Sequence, residues 1–158
     1  MTDLALYETG DGGDAVLLSN DVELTSAIFN MVYLAFFGGN PGAPTTGNEN
    51  EGELRADWWG NALLFNNDES IQFNSSLEHA LDTTALTSAG RVAIEEAAKK
   101  DLEFISELAN VEVSVVIDSD NKVSIFVTLI EPSNLEEKSY QIIWDATKKE
   151  VIEVKEIN

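Results

Sequence analysis

Apolar positions follow two different periods along this chain. At the start, short alternating stretches run from Leu4 to Tyr7 and from Ala15 to Leu18, separated by Gly10-Asp11-Gly12-Gly13-Asp14, a composition that favours turns. They predict a short N-terminal hairpin. Ser19, Asn20 and Asp21 then offer caps for a helix whose apolar residues Leu24, Ile28, Met31, Val32 and Ala35 recur at helical spacing. Gly38 and Gly39 end it, as glycine does at a helix C-terminus. A long loop over residues 38–53, rich in Gly, Pro, Asn, Thr and Glu, leads to Leu54-Arg55-Ala56-Asp57-Trp58-Trp59-Gly60. Connections longer than about 12–15 residues are usually functional or disordered.

Beyond this stretch the helical period returns. A short helix is expected from Ser75 to Leu81, and a long one from Thr87 to about Leu108. The long helix carries an apolar stripe through Ala93, Ile94, Ala97, Ala98, Leu102, Ile105 and Leu108. The last third switches to period two. Val111 to Val115 alternates, Asp118-Ser119-Asp120-Asn121 turns, and Val123, Ile125, Val127 and Leu129 alternate again, which predicts an antiparallel hairpin. Tyr140, Ile142 and Trp144 mark a third strand and Val151 to Ile157 a fourth. Helices before a terminal meander give an α+β fold: an N-terminal hairpin and helix, a long loop, and a long central helix packed on a C-terminal antiparallel sheet of three to four strands. No internal repeat or sharp boundary divides residues 1–158, so one domain is expected.

Charge changes the picture more than composition does. Nine basic residues stand against 29 acidic ones, a formal net charge of −20. A field of that sign repels phosphate, so neither nucleic acid nor an anionic membrane is an expected partner. Arg55 is the sole basic residue among the first 90, beside 14 acidic ones; the other eight begin at Arg91. The acidity reads either as a solubility or salt-adaptation device or as a surface that docks on a basic partner. The chain lacks cysteine, which excludes disulfides and thiolate metal sites and suits a reducing compartment. No apolar run reaches the roughly 18–20 residues of a membrane span, and Met1-Thr2-Asp3 does not open a secretory signal.

Candidate chemistry is sparse. His79 is the one histidine, so a two-imidazole metal site is impossible, and no Gly-x-Ser-x-Gly elbow accompanies it. Glu95 and Glu96 are adjacent on the long helix and point in different directions, unlike an acid–base pair. Asp118 to Asn121 lacks the glycine and the closing glutamate of a calcium loop and reads as a hairpin turn. Gly38 to Gly42 lacks the Lys-Ser/Thr of a phosphate-binding loop. No catalytic residue, cofactor, metal or small-molecule substrate is assigned, and the chain is not expected to be an enzyme.

The remaining feature is Arg55-Ala56-Asp57-Trp58-Trp59-Gly60. Two adjacent tryptophans carry a large apolar surface that is costly to leave in water. One ring is expected to plug the end of the core. The other, with Arg55, is a candidate interface anchor, because Trp and Arg are enriched at binding hot spots. Asp57 is a candidate carboxylate partner for Arg55.

This block, after an acidic Gly/Asp opening, Asp21-Val22-Glu23-Leu24 and a Gly/Pro/Asn loop, resembles the Mu-type phage tail baseplate proteins. Their hallmark is an Arg-Gly-Trp-Trp-Gly-Asp-like segment following such a loop. Leu86-Thr87-Ser88 opening a helix, Ala98-Lys99-Lys100-Asp101-Leu102 and the terminal alternating strands fit the same order. Arg55, Trp58, Trp59 and Gly60 match the motif; Ala56-Asp57 stands where the family often has Gly alone, and Asn61 where Asp is common. The resemblance implies a structural subunit of a contractile tail, a wedge or sheath initiator. It would be assembled in the host cytoplasm and present in several copies around the tail axis of the virion. Its implied partners are the other baseplate, tube and sheath proteins. An acidic nucleic-acid mimic that inhibits a basic protein is the alternative, and a hydrolase ranks third.

Overall fold

Strand-forming, β-branched positions in the last third assemble into one antiparallel meander, and the helices cover one side of it. The computed structural model of the protein describes residues 2–5, 17–18, 21–22, 24–39, 74–130 and 137–157. In chain order the elements are β1 (Thr2–Leu4), β2 (Leu17–Leu18), β3 (Asp21–Val22), β4 (Leu24–Ser26), α1 (Ala27–Phe37), α2 (Ser76–Thr83) and α3 (Ser88–Asp101). A 3₁₀ turn (Glu103–Glu107) and strands β5 (Asn110–Ser119), β6 (Lys122–Ile130), β7 (Glu137–Asp145) and β8 (Glu150–Ile157) complete them. The α+β class and the sheet packed against helices agree with the expectation from sequence.

The sheet order is β5-β6-β7-β8, every neighbour antiparallel. Because side chains alternate across a strand, the register lines up apolar rows on one face. Val115, Ile125, Ile142 and Val154 form one row; Ile117, Val123, Trp144 and Val151 form the next. Strict alternation would put Val151 and Val154 on opposite faces. An irregularity in the β7–β8 ladder absorbs Ile152 as an extra residue, which is left exposed while Val151 is buried. The β7–β8 turn is closed by Asp145, whose Oδ1 accepts from the N–H groups of Thr147 and Lys148. Lys149 takes the left-handed conformation there (φ 58°).

α1 is apolar on nearly every side, the signature of a buried helix. Phe29 stacks on Tyr140, with ring centroids 4.2 Å apart, and Phe37 lies nearly parallel to Trp144 at 6.1 Å. The eight-residue helical rise from Phe29 to Phe37 is about 12 Å. The four-residue strand rise from Tyr140 to Trp144 is about 13 Å. α1 therefore runs alongside β7. Ile94, Ala98, Leu102 and Ile105 bring α3 and the 3₁₀ turn into the same core.

Three expectations are corrected. The two opening segments do not pair with each other: β1 pairs with β4 (Leu4 opposite Leu24), and β2 pairs with β3 (Leu17 opposite Val22). α1 starts at Ala27 rather than after Asp21, because residues 21–22 and 24–26 give their backbone to these ladders. The Asn30 amide donates to the Leu4 carbonyl, holding β1 against the start of α1. Finally, the long helix stops at Asp101. Leu102 N–H is shared among the carbonyls of Ala98, Lys99 and Lys100, the chain tightens into the 3₁₀ turn, and Leu108 ends up exposed instead of completing the stripe. Ala93 is exposed and Ala97 half-buried, so the buried face of α3 is narrower than the apolar spacing suggests.

Gly90, in the first turn of α3, shows how tightly this layer is closed. A Cβ added there would sit 1.9 Å from the Ala85 carbonyl oxygen. Gly→Ala inside a helix ordinarily gains about 1 kcal/mol. Here the backbone must move, at a cost of about 1–3 kcal/mol. Gly90→Ala is expected to lower the unfolding free energy, measured by urea denaturation, and a gain in stability would refute this packing.

Candidate functional site

One serine joins the end of α1 to the start of α2. Ser75 is fully buried. Its N–H donates to the Gly39 carbonyl at 2.8 Å, and its hydroxyl donates to the Phe36 carbonyl. The same Oγ accepts from the Glu78 N–H at 2.8 Å, capping α2. Gly39 takes a left-handed conformation (φ 96°), which lets the chain turn off the end of α1. Residues 40–73 therefore begin and end at one place on the fold. Arg55, Asp57, Trp58, Trp59 and Gly60, and all of the loop expected over residues 38–53 beyond Gly39, lie within this interval, outside the described residues.

Asp101 fixes the same junction from the other side. Its two carboxylate oxygens accept from Ser76 N–H (3.0 Å) and Leu77 N–H (2.7 Å), joining the end of α3 to the start of α2. Partial burial raises its pKa above the usual carboxylate value, although the Leu77 and Ser76 hydrogen bonds and the charge of Lys100 pull it down. Lys149 Nζ lies 3.5 Å from Asp82 and ties the β7–β8 turn to α2.

The other candidates are brought to no common place. His79 is exposed on α2. Glu95 accepts from both Lys99 (2.6 Å) and Arg91 (2.7 Å) on α3. The Lys99 hydrogen bond, aided by the charges of Lys99 and Arg91, holds its carboxyl below the ordinary range against some desolvation. Glu96 is exposed, so the two glutamates do not face each other. Asp118 accepts from Ser124 Oγ at 2.6 Å, and Gln141 donates to the same oxygen at 3.0 Å, a network on the outer sheet face that sets the β5–β6 turn. Among the described residues no cluster of His, Asp and Glu could hold a metal ion, and no helix is long and apolar enough to cross a membrane.

What the arrangement does offer is a groove of about 470 Å³ where α3 ends and β5 begins. One wall is Lys99, Leu102, Glu103 and Ser106, which share a helical face; the other is Ala109 and the start of β5 as far as Val113, with Ile130 opposite Asn110. Sequence reasoning missed it because Leu102, Ala109 and Ile130 each read as core. The break after Asp101 that opens the groove carries no Gly or Pro to announce it. β5 and β8 are the two edges of the sheet, and neither has a second strand partner among the described residues.

Comparison with protein-family models, curated proteins and solved structures returned no match. The likeness of Arg55–Gly60 to the Mu-type segment therefore rests on the residues themselves.

The Asp101 contact makes a prediction with a defined sign. Its carboxyl is easier to protonate in the folded than in the unfolded chain. Its contribution is thus most favourable below the unfolded pKa of about 3.9 and declines as pH rises through the raised folded value. Relative to Asp101→Asn, the wild type should gain stability as pH falls through the carboxylate range. The difference in unfolding free energy, measured as a function of pH, reads this; a difference that shrinks on acidification would contradict it. Asp101→Ala, which removes the acceptor from two α2 N–H groups, should cost about 1–2 kcal/mol at neutral pH.

Proposed function

We propose that the chain is a structural subunit of a contractile phage tail baseplate, a wedge or sheath-initiating component that acts through contacts with other baseplate, tube and sheath proteins. The observation that carries this reading is the Arg55-Ala56-Asp57-Trp58-Trp59-Gly60 block in its sequence order. Two features of the fold support it. The described residues that flank the interval holding the block are joined to each other and to the end of α1 by Ser75, Gly39 and Phe36. The sheet also ends in two edges, and an exposed edge accepts a strand from a neighbour by backbone hydrogen bonding. Presence in several copies around the tail axis and a place in the virion follow from the same reading.

The −20 charge favours one competing reading, an acidic mimic of nucleic acid that inhibits a basic protein. The two differ in partner and in salt response. Tail-tube, spike and wedge genes are expected beside this one, and their products should co-purify with the co-expressed chain. Truncating both rings in Trp58→Ala/Trp59→Ala should weaken that capture by about 2 kcal/mol or more in a still-folded protein. Absence of tail genes, together with salt-sensitive binding to a basic nuclease or repressor, would replace the baseplate reading with the mimic.

A further inference from the structure

We infer that β5, rather than β8, is the sheet edge that accepts a strand, and that its occupant is an extended segment of another protein, apolar at alternate positions and carrying lysine or arginine on its outward side. The two edges differ in the devices that sheets use to prevent such pairing: bulges, lysines and charges placed on the core side. β8 has all three. Its ladder is irregular at Ile152, Lys155 stands exposed, and Glu156 lies opposite Tyr140, on the face that the helices cover. Between Asn110 and Ile117 β5 has none of them. Its ladder with β6 is unbroken there, the strand contains no lysine, arginine or proline, and Val111, Val113, Val115 and Ile117 occupy its helix-side face.

Every second residue of an edge strand turns its N–H and C=O away from the sheet, where they can pair with any extended backbone; the side chains at alternate positions then select the sequence. On the helix side an added strand continues the row of Val113, Val115 and Ile117, which suits apolar residues. On the outer side it meets Glu112, Ser114, Val116 and Asp118, all exposed. Among the described residues neither Glu112 nor Asp118 is in an ion pair. Opposite charges facing across a ladder stabilise it and like charges destabilise it, so the occupant is cationic on this side. A second copy of β5 has no cation to offer, and two bodies each of formal charge −20 repel. The chain's own remaining residues do not answer both carboxylates either, because Arg55 is its one basic residue outside the described ones. The inference rests on the assembly-subunit reading only in taking the occupant to be another protein, and it assigns a contact site separate from the tryptophan block.

The test uses the full-length protein, ¹⁵N-labelled. In the free chain, amide hydrogen exchange should be fast at alternate residues from Val111 to Ile117, as at an open edge. Protection of all of them, by the chain's own residues or by a second copy at raised concentration, would overturn the inference. Titration with the peptide Lys-Val-Thr-Val-Thr-Val-Lys should give saturable amide shifts centred on β5 and slow the exchange of those amides; Glu-Val-Thr-Val-Thr-Val-Glu should bind much more weakly. Two N-methylated forms of the lysine peptide, one methylated at the central valine and one at the threonine after it, separate strand addition from adhesion to an acidic surface. Only alternate amides of an added strand face its neighbour, so one form should lose binding and the other keep it. Glu112→Lys, at an exposed position, should weaken the lysine peptide about fivefold. Equal behaviour of the two methylated forms, shifts centred on β8, or indifference to Glu112→Lys would each contradict the assignment. Co-purification of the wild type with tail-gene products is a separate readout, so the edge can fail while the baseplate reading stands.

Discussion

Covering one face of a four-stranded meander is the constraint on which the rest of this fold depends. The cross-strand rows of Val, Ile and Trp on β5–β8 present a continuous apolar surface, and α1 and α3 remove it from water. Burying one such side chain is worth about 1.5–3 kcal/mol, an upper figure because the unfolded chain already hides part of it. The matched lengths of Phe29–Phe37 and Tyr140–Trp144 let two aromatic stacks form at once, which sets the position of α1 along β7. That geometry is kept even though the Trp144 indole N–H is buried without a hydrogen-bond partner among the described residues. The stacking and burial of the ring outweigh an orphaned donor that costs about 1–3 kcal/mol.

Polar contacts then fix what burial leaves free. Apolar burial does not specify direction, whereas Ser75 and Asp101 do. Between them they satisfy the first N–H groups of α2, close the end of α1 and hold the end of α3. The three helices are bound together at one corner, at which residues 40–73 leave and return. Charge is arranged separately from this framework. The ion pairs of Glu95 and of Lys149 sit on the outside of the helical layer.

Much of the architecture was legible in the sequence because it is local. Val123, Ile125, Val127 and Leu129 alternate without interruption, and Ser75 and Thr87 cap the helices that follow them. What was not legible depends on residues far apart. The helical spacing from Leu102 to Leu108 continues the stripe of α3, yet the helix ends where Asp101 turns to α2, a contact between residues 24 and 25 positions apart. The pairing of β1 with β4 joins residues 20 to 24 positions apart that no turn motif links. In β8 the spacing of Val151 and Val154 breaks period two, and only the bulge at Ile152 puts both toward the core. Of the candidate site, the tryptophan block was visible as a motif, whereas the groove arises from a helix break and a strand start that brought ordinary core residues together.

The meander, its covering helices and the Ser75 junction are expected to form a self-sufficient framework. The direct measurement is thermal unfolding of a variant in which residues 40–73 are replaced by about four Gly and Ser residues. Gly39 O and Ser75 N are 2.8 Å apart, so a short bridge fits. Shortening 34 residues to four reduces the loop-closure cost by roughly 2 kcal/mol. One cooperative transition is expected at a midpoint equal to or above that of the full chain, with the near-ultraviolet signal of packed Trp144 retained. A broad transition, or a midpoint well below the full chain's, would show that the framework is not self-sufficient without residues 40–73.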